Sequence, residues 1–370
     1  MTVVEPSAAS VLRSIAGHGL PGAQQPLPEA PLPEATWRSM LRRAVSTRLV
    51  GLLADAVAGE RLPTTDAQLE ELAGAHAEAM AHSLRMERTA AWAHDLLAAA
   101  DVPARFSKGL VLAHTAYPAP EQRPTGDVDV LVPREGIDAA VAALQDAGAR
   151  RSVPELRRGF DARFAKAVTM APADDGKVLD LHVTFVMGPF GLLVEGSDLF
   201  ASRELVALGP SRLPALGREE RLLHACYNAA IGERPPRPLA LRDIAQMILV
   251  EGVDEDRVRA LAGQWGGQAV LAAAVEEAWD ELALADQTPL TAWARRYDPS
   301  DREQRWLRAS RADAYAPQAR ATLEALPGWR DKAAFLAAVA LPQGRWLRSR
   351  GRQRRGWLRG GWQALREAQA

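Results

Sequence analysis

The chain has 370 residues, of which 48% are hydrophobic and 25% charged, and its formal net charge is -1. This length predicts two or three compact units, and the composition is that of a globular rather than a disordered protein. The near-zero charge excludes a global attraction to nucleic acid or anionic lipid, so any such attraction has to be local. The single cysteine, Cys226, excludes a disulfide framework or cysteine-based zinc site within this sequence, and we expect it to be a small buried side chain.

The sequence shows neither a secretion signal nor a membrane span. The first residues lack a basic cluster ahead of an apolar core, and Glu5 and Pro6 interrupt them, which argues against a signal peptide. No uninterrupted apolar stretch reaches the roughly 18 residues that a spanning helix needs. We therefore expect a cytoplasmic protein.

The hydrophobic spacing predicts an α+β protein in which a mixed sheet lies between N-terminal and C-terminal helical regions. Apolar residues recur at helical spacing on both sides of a central part in which short strand and helix patterns alternate. The predicted parts are an N-terminal segment with a proline-rich linker at residues 1–36, a helical region at 37–100, the sheet-containing part at 101–210, a C-terminal helical lobe at 211–340 and a basic tail at 341–370.

In chain order, each predicted element has its own signal: helical or alternating spacing, flanked by turn residues. The predicted helices are about Thr65 to Ala100, Gly109 to Tyr117, Gly136 to Ala147, Glu219 to Ile231, Leu239 to Val250, Asp254 to Trp265 and Val270 to Leu284. The predicted strands are Val102 to Phe106, Val128 to Val132, Ala165 to Ala171 and Lys177 to Phe185, the last two joined as a hairpin by Asp174, Asp175 and Gly176.

Asp127 and Asp129 are the first candidate functional residues. Side chains alternate between the two faces of a strand, so these two carboxylates project from one side of the predicted strand. Two neighbouring carboxylates resist joint ionisation unless a cation lies between them. Hard oxygen ligands suit Mg²⁺, which borrows its remaining ligands from water and phosphate. The pattern therefore predicts a metal site.

Three further residues upstream are candidates for binding phosphate. Lys108 and Gly109 precede a predicted helix, where glycine permits a close approach and the first N–H groups are unpaired. The helix start and the Lys108 ammonium together form a plausible phosphate cradle. Arg123, in the loop before the carboxylates, would add a contact to phosphate or to the acceptor.

A third acid, to hold a metal and accept a proton, is expected at Asp180. It lies in the strand pattern Val-Leu-Asp-Leu-His, and alternation places His182 on its face. Pairing of this strand with Val128–Val132 would bring Asp180 to Asp127 and Asp129. The register is not given by the sequence, so this adjacency is a hypothesis. For His182 we expect a supporting role.

These motifs resemble the DNA-polymerase-β-like nucleotidyltransferase superfamily and, more narrowly, a group of uncharacterised nucleotidyltransferases. The shared signature is a Lys-Gly pair, an apolar helix ending in tyrosine, a proline-containing loop with arginine, then D-x-D-x-L-V and later D-L-H. The matching positions here are Lys108–Gly109, Leu110–Tyr117, Arg123, Asp127–Val132 and Asp180–His182. Segments Leu222–Asn228 and Leu241–Ile248 resemble the helical C-terminal part of that group.

The resemblance implies a polymerase-β-like palm and transfer of a nucleoside monophosphate from an NTP to a hydroxyl-type acceptor, with release of pyrophosphate. Asp127 and Asp129 would bridge two Mg²⁺ ions, with Mn²⁺ as an alternative, and Asp180 would hold the ion that activates the acceptor. A small molecule, a peptide natural product and a protein all stay open as acceptor. The superfamily usually has glycine or serine after the phosphate-turn glycine, whereas Leu110 follows Gly109 here. The alternative function is a catalytically inactive module that binds a nucleotide or partner.

The C-terminal tail differs in kind from the rest of the chain. Its tryptophans and arginines suit an anionic surface, either a membrane or RNA, and its glycines weaken a continuous helix. Peripheral membrane association and a flexible solvated tail are both open. The residues concerned are Arg345, Trp346, Arg348, Arg350, Arg352, Arg354, Arg355, Trp357, Arg359, Trp362 and Arg366.

Overall fold

The computed structural model describes residues 7–172, 179–232, 234–285 and 287–349. Its α-helices are α1 (Ala8–Gly17), α2 (Glu34–Ser46), α3 (Val50–Ala58), α4 (Asp66–Ala99), α5 (Lys108–Thr115), α6 (Ile137–Asp146), α7 (Phe160–Phe164), α8 (Pro189–Leu192), α9 (Gly196–Ala201), α10 (Arg218–Ile231), α11 (Pro238–Gln246), α12 (Glu255–Gln264), α13 (Gln268–Glu281), α14 (Pro289–Ala294), α15 (Asp301–Arg311), α16 (Tyr315–Ala325), α17 (Trp329–Ala340) and α18 (Gly344–Ser349). A π-helical turn, Met247–Glu251, follows α11, and 3₁₀ turns lie at Pro120–Gln122 and Arg134–Gly136.

The strands are short and form two sheets. They are β1 (Arg105–Ser107), β2 (Val128–Leu131), β3 (Arg150–Arg151), β4 (Ala167–Ala171), β5 (Leu179–His182), β6 (Leu205–Leu208) and β7 (Ser211–Pro214). The main sheet has the order β1-β2-β5-β4-β3, and β6 pairs with β7 separately. Among the described strands, β2 and β5 pair in parallel and the other pairs are antiparallel. This mixed sheet with flanking helices confirms the α+β prediction.

Alternation along β2 and β5 gives the main sheet two chemically different faces. Val128 lies opposite Leu179 and Val130 opposite Leu181, and these apolar side chains pack in one core with α4 and α6. The opposite face carries Asp129 and the other polar side chains of the two strands, and Leu131 on that face belongs to the larger core formed with the N- and C-terminal helices. Burial of one face therefore fixes which side chains point toward the helical lobe.

The N-terminal residues contain a helix that the sequence analysis did not predict. Ser7 caps α1 by accepting a hydrogen bond from the Ser10 N–H, and Val11 and Ile15 are buried in the large core. The long helix predicted from Thr65 is confirmed as α4, which starts in a capping box. The described residues between α1 and Glu34 contain no helix, and α2 begins at Glu34, inside the segment predicted as residues 1–36.

Several predicted element boundaries differ from the structure, among them the starts of the first strand and of the helix that follows it. The first strand begins at Arg105 rather than Val102, because the Val102 N–H bonds to the Leu97 carbonyl at the end of α4 and Pro103 has no N–H to give a strand partner. The helix expected from Gly109 already begins at Lys108. The hairpin turn predicted at residues 174–176 lies outside the described residues, although β4 and β5 pair in antiparallel fashion as a hairpin requires.

Helices α10 to α15 form the C-terminal lobe, with α13 at its centre against α10 and α11. Cys226 on α10 is buried and unpaired, as predicted. In the described part of the chain, no helix combines the length and apolarity needed to cross a bilayer. Arg345 and Arg348 lie in α18, whereas the tail from Arg350 onward is outside the described residues, so its predicted binding to an anionic surface stays a prediction.

Candidate active site

Three of the predicted side chains meet on the polar face of the sheet. The parallel register places Asp129 directly opposite Asp180 and Leu131 opposite His182. Asp129, Asp180 and His182 each offer one ligand atom, and these atoms lie within 4.8 Å of one another. The hypothesis that the two strands pair is confirmed, and the pairing brings Asp180 to Asp129 but does not include Asp127 in the group. This buried group could hold a metal ion.

Asp129 is almost completely buried, yet it is strongly favoured in its charged form. Lys108 Nζ lies 2.6 Å and His182 Nε2 lies 2.7 Å from the same oxygen, Oδ1. Burial by itself would raise the pKa of Asp129, but Lys108 and the hydrogen bond from His182 hold it well below its ordinary value. Within the described residues Oδ2 has no hydrogen-bond partner. One oxygen of Asp129 is therefore available to a cation.

The surroundings of His182 indicate how its ring is protonated. Burial and the nearby Lys108 ammonium lower the pKa of His182, so the ring is neutral at pH 7. The short contact from Nε2 to Asp129 requires a proton on Nε2, which leaves Nδ1 unprotonated beside the Thr184 carbonyl, 3.4 Å away. In this tautomer Nε2 is occupied, so His182 orients Asp129. Behind it His224 stacks on Phe185, with ring centroids 4.4 Å apart.

Asp180 is half-buried and is held by the neighbouring antiparallel strand. Thr169 lies opposite it in the β4–β5 register, and the Thr169 hydroxyl donates to Asp180 Oδ1 at 2.6 Å. In the described residues the other carboxylate oxygen has no hydrogen-bond partner. This environment fixes the Asp180 side chain while leaving one oxygen available for a ligand or a proton.

Asp127 is outside the group of three ligand atoms within 4.8 Å. It precedes the first residue of β2, its side chain is 35% exposed, and Oδ1 lies 3.3 Å from Nη1 of Arg48. Asp127 and Asp129 nevertheless line the same cleft. The role of Asp127 as a metal ligand stays a prediction.

Lys108 and Gly109 open α5 at the edge of this site. Lys108 has a φ of 53°, a left-handed conformation that side chains rarely adopt, and this turn directs its ammonium toward Asp129 and His182. A Cβ atom at Gly109 would lie 2.6 Å from Arg123 Nη1, so only glycine lets the Arg123 guanidinium pack there. Their phosphate-binding role stays a prediction.

Arg123 is buried in an ion pair that the sequence did not suggest. Its Nε and Nη2 donate to the two oxygens of Asp243 on α11 at 3.1 and 2.7 Å, and the Tyr117 hydroxyl donates to the same carboxylate at 2.8 Å. Asp243 raises the pKa of Arg123 against the opposing effect of burial. Arg123 still borders the cleft, but in this structure its main contact joins the sheet-containing part to the C-terminal lobe.

An open cleft with a cavity volume of about 190 Å³ lies in front of these side chains. The cleft is bordered by the α2–α3 bend, by the start of α5, by the acids and by α10 and α11. The lining residues are Thr47, Arg48, Lys108, Gly109, Leu112, Arg123, Asp127, Asp129, Arg221, Ala225, Asn228, Pro236, Arg237, Leu239, Ala240 and Asp243.

The structure adds three residues that sequence reasoning missed. Thr169 is set by the strand register, and Arg48 reaches the site from the N-terminal helices. Lys166, just before β4, is close enough to the acids that Asp129, Asp180 and Asp127 act on its pKa, which burial and Lys108 lower. Alternation in β4 was the one available signal for Thr169, whereas nothing local in the sequence marks Arg48 or Lys166.

The fold and the site geometry agree with the comparison to known protein families. The family model described as "Uncharacterised nucleotidyltransferase" matches residues 33–278, which include the N-terminal helices from α2, the main sheet and the helices up to α13. The chain therefore belongs to this nucleotidyltransferase family. No curated protein sequence matches it.

Proposed function

We propose that the protein is a Mg²⁺-dependent nucleotidyltransferase with a polymerase-β-like palm. It would transfer a nucleoside monophosphate from an NTP to a hydroxyl-type acceptor, such as a small molecule, a peptide natural product or a protein. The observation that carries the proposal is the register of β2 and β5 in a chain from a nucleotidyltransferase family. This register sets Asp180 beside Asp129, and Asp129 lines the cleft.

The donor set fits a hard divalent ion. Asp129 and Asp180 each keep one carboxylate oxygen without a partner among the described residues, and two neighbouring carboxylates repel unless a cation neutralises them. His182 Nε2 is occupied by Asp129, so the ligands left for the ion are oxygens, which Mg²⁺ prefers. When bound, the ion would neutralise phosphate charge and make the acceptor oxygen more acidic. Asp127 would complete the acidic set.

Each of the proposed active-site residues has its own role in this reaction. The acceptor oxygen forms a bond to the α-phosphorus while the bond to the bridging oxygen of pyrophosphate breaks. Asp180 is the proposed acceptor of the hydroxyl proton, and Thr169 holds it in place. His182 orients Asp129. Lys108 and the N-terminus of α5 would bind the departing phosphates.

The test uses purified full-length protein, α-labelled NTPs and Mg²⁺ with a host extract as the source of acceptor. We expect label transfer and pyrophosphate release, and we expect Asp129→Asn and Asp180→Asn to lower both by more than about 100-fold, because loss of a metal ligand should exceed the usual effect of a supporting residue. Asp138→Asn, an exposed acid on α6 at the opposite face, is the matched control.

Metal uptake is measured separately, by titrating Mn²⁺ as a spectroscopic probe without nucleotide. Equal Mn²⁺ affinity in the wild type, Asp129→Asn and Asp180→Asn would contradict the proposed metal site. Nucleotide binding without label transfer from any NTP would favour the inactive binding module instead.

A further inference from the structure

Arg48 lies in a tight bend between two N-terminal helices, far from the acids in sequence. Its φ of 63° is left-handed, a strained backbone conformation that non-glycine residues rarely adopt. The bend is held by the Thr47 hydroxyl, which donates to the Arg43 carbonyl at 2.7 Å, and by the Leu49 N–H, which donates to the Ala44 carbonyl at 2.7 Å. The bend fixes the direction in which the Arg48 side chain leaves the backbone.

That direction brings the guanidinium into the cleft. It lies against Gly126, where a Cβ atom would be 2.1 Å from the central guanidinium carbon and 2.3 Å from Nε of Arg48. The Gly126 carbonyl is in turn 3.1 Å from His82 Nε2 on α4. The absence of a side chain at Gly126 therefore makes the space in which Arg48 reaches Asp127.

Arg48 and Lys108 occupy equivalent positions around the two acids of the D-x-D motif. Arg48 Nη1 lies 3.3 Å from Asp127, and Lys108 Nζ lies 2.6 Å from Asp129. Both cations line the cleft, and the Arg48 side chain is 29% exposed. Among the described residues, its guanidinium donates one hydrogen bond, from Nη1 to Asp127. A guanidinium has five N–H donors whose planar arrangement matches phosphate oxygens.

We propose that Arg48 is a phosphate-binding residue for the nucleotide, supplied by the N-terminal helices. This inference rests on the proposed function. In the structure described here, the guanidinium neutralises Asp127; with the carboxylate engaged by a divalent ion, Arg48 donates to an oxygen of the triphosphate. Arg48 therefore competes with the ion for Asp127 and cooperates with it in binding the nucleotide.

Replacing Arg48 should therefore change the affinity for ATP and the affinity for Mn²⁺ in different ways. Replacing Arg48 by glutamine should weaken ATP binding in the presence of Mg²⁺ by about tenfold or more, because charge-assisted hydrogen bonds to phosphate are among the strongest hydrogen bonds in proteins. The same substitution should leave Mn²⁺ affinity without nucleotide unchanged or increase it, since a competing cation beside Asp127 is removed. A residue that merely shaped the cleft would weaken both.

The experiment uses the full-length protein as wild type, Arg48→Gln, Arg48→Lys and Arg38→Gln. Arg38 is an exposed arginine on α2 that pairs with Glu34, which makes Arg38→Gln the matched control. ATP binding with Mg²⁺ is measured by calorimetry, and Mn²⁺ binding by paramagnetic resonance. We expect Arg48→Lys to keep part of the ATP affinity because it keeps the charge, and Arg38→Gln to behave as the wild type.

Each outcome bears on a separate claim. Unchanged ATP affinity in Arg48→Gln, with ATP binding still lost in Asp129→Asn, overturns the role of Arg48 and leaves the proposed function standing. Absence of Mn²⁺ uptake by the wild type overturns the proposed metal site itself. Parallel weakening of ATP and Mn²⁺ binding in Arg48→Gln assigns Arg48 a structural role and also overturns this inference. Should Arg48→Gln not fold, Arg48→Lys and its ATP affinity decide the question.

Discussion

Two buried groups of charged side chains border the same cleft, and they differ in how fully their carboxylates are used. We call Lys108, Asp129, Asp180 and His182 the Asp129 cluster. We call Tyr117, Arg123 and Asp243 the Asp243 cluster. Both contain a buried acid beside a cation, and both belong to elements that meet at the cleft. Their hydrogen bonds distinguish them.

In the Asp243 cluster, both carboxylate oxygens of Asp243 accept hydrogen bonds. Arg123 binds the carboxylate in a bidentate way, and the Tyr117 hydroxyl donates a third hydrogen bond to it. In the Asp129 cluster, Lys108 and His182 both contact one oxygen of Asp129, and a second acid, Asp180, lies alongside. A fully satisfied buried pair holds two parts of the protein together. Neighbouring acids whose carboxylate oxygens are not all hydrogen-bonded can instead bind a cation or another ligand.

The largest expected effect concerns stability without metal. Asp243→Asn leaves the Arg123 guanidinium buried without its carboxylate, and removal of one partner from a buried ion pair typically costs about 3–5 kcal/mol. Asp129→Asn should cost clearly less, because the Lys108 side chain is 19% exposed and can be solvated, and because repulsion with Asp180 is relieved. Urea denaturation of both variants in a chelator measures the difference in the free energy of unfolding.

Equal losses in the two variants would remove the distinction between the clusters. The chelator is needed because a bound ion would stabilise the folded wild type and enlarge the apparent loss for Asp129→Asn. Asp138→Asn again serves as the control, since this exposed acid belongs to neither cluster.

The sequence predicted that Asp129, Asp180 and His182 would come together because the signals for their strands are local. Alternation along β2 separates Asp129 from Val128 and Val130, and the same rule relates Asp180 to His182. The pairing of the two strands was a hypothesis, which the structure confirms; their parallel direction was not predicted. No contact in the structure tests the phosphate-binding role predicted for Lys108, so that role stays a prediction.

The Asp243 cluster and Arg48 could not be predicted in the same way. Arg123 and Asp243 are separated by 120 positions, and Arg48 and Asp127 by 79. The residues around an arginine in the sequence do not indicate which group its side chain will contact. An arginine that binds phosphate and one that pairs with a buried acid therefore cannot be distinguished from local sequence. The contact of Thr169 with Asp180 depends on the register of β4 and β5, which is set by burial of the apolar face rather than by the threonine.

A smaller effect is expected on the ligand affinity of the Asp129 cluster. Thr169→Val removes the hydroxyl that donates to Asp180 Oδ1, so the carboxylate loses its fixed orientation. Second-layer hydrogen bonds of this kind typically contribute about tenfold or more to metal affinity. We expect Mn²⁺ to bind about tenfold more weakly, with little change in folding.

The control for that titration is Thr89→Val. Thr89 is buried, and its hydroxyl donates to the Arg85 carbonyl within α4, on the apolar side of the sheet. The same loss of Mn²⁺ affinity in both variants would show that Thr169 acts through general packing rather than through Asp180.

The smallest effect tests the Asp243 cluster by pH. Burial, followed by the charge of Asp243, raises the pKa of Tyr117 well above its ordinary value near 10. The folded protein therefore keeps this proton above pH 10, where the unfolded chain loses it, so the free energy of unfolding falls as pH rises beyond 10. Tyr117→Phe should cost about 1 kcal/mol at neutral pH, the net value of one hydrogen bond.

The same substitution removes the alkaline loss that Tyr117 contributes, so the stability difference between wild type and Tyr117→Phe should shrink between pH 9 and about pH 11. Thr169→Val removes no titratable group and should keep the wild-type slope. A constant difference over that range would mean that the Tyr117 phenol ionises as easily in the folded protein as in the unfolded chain. Asp243 would then not hold the phenol proton, and the Asp243 cluster would be as incompletely paired as the Asp129 cluster.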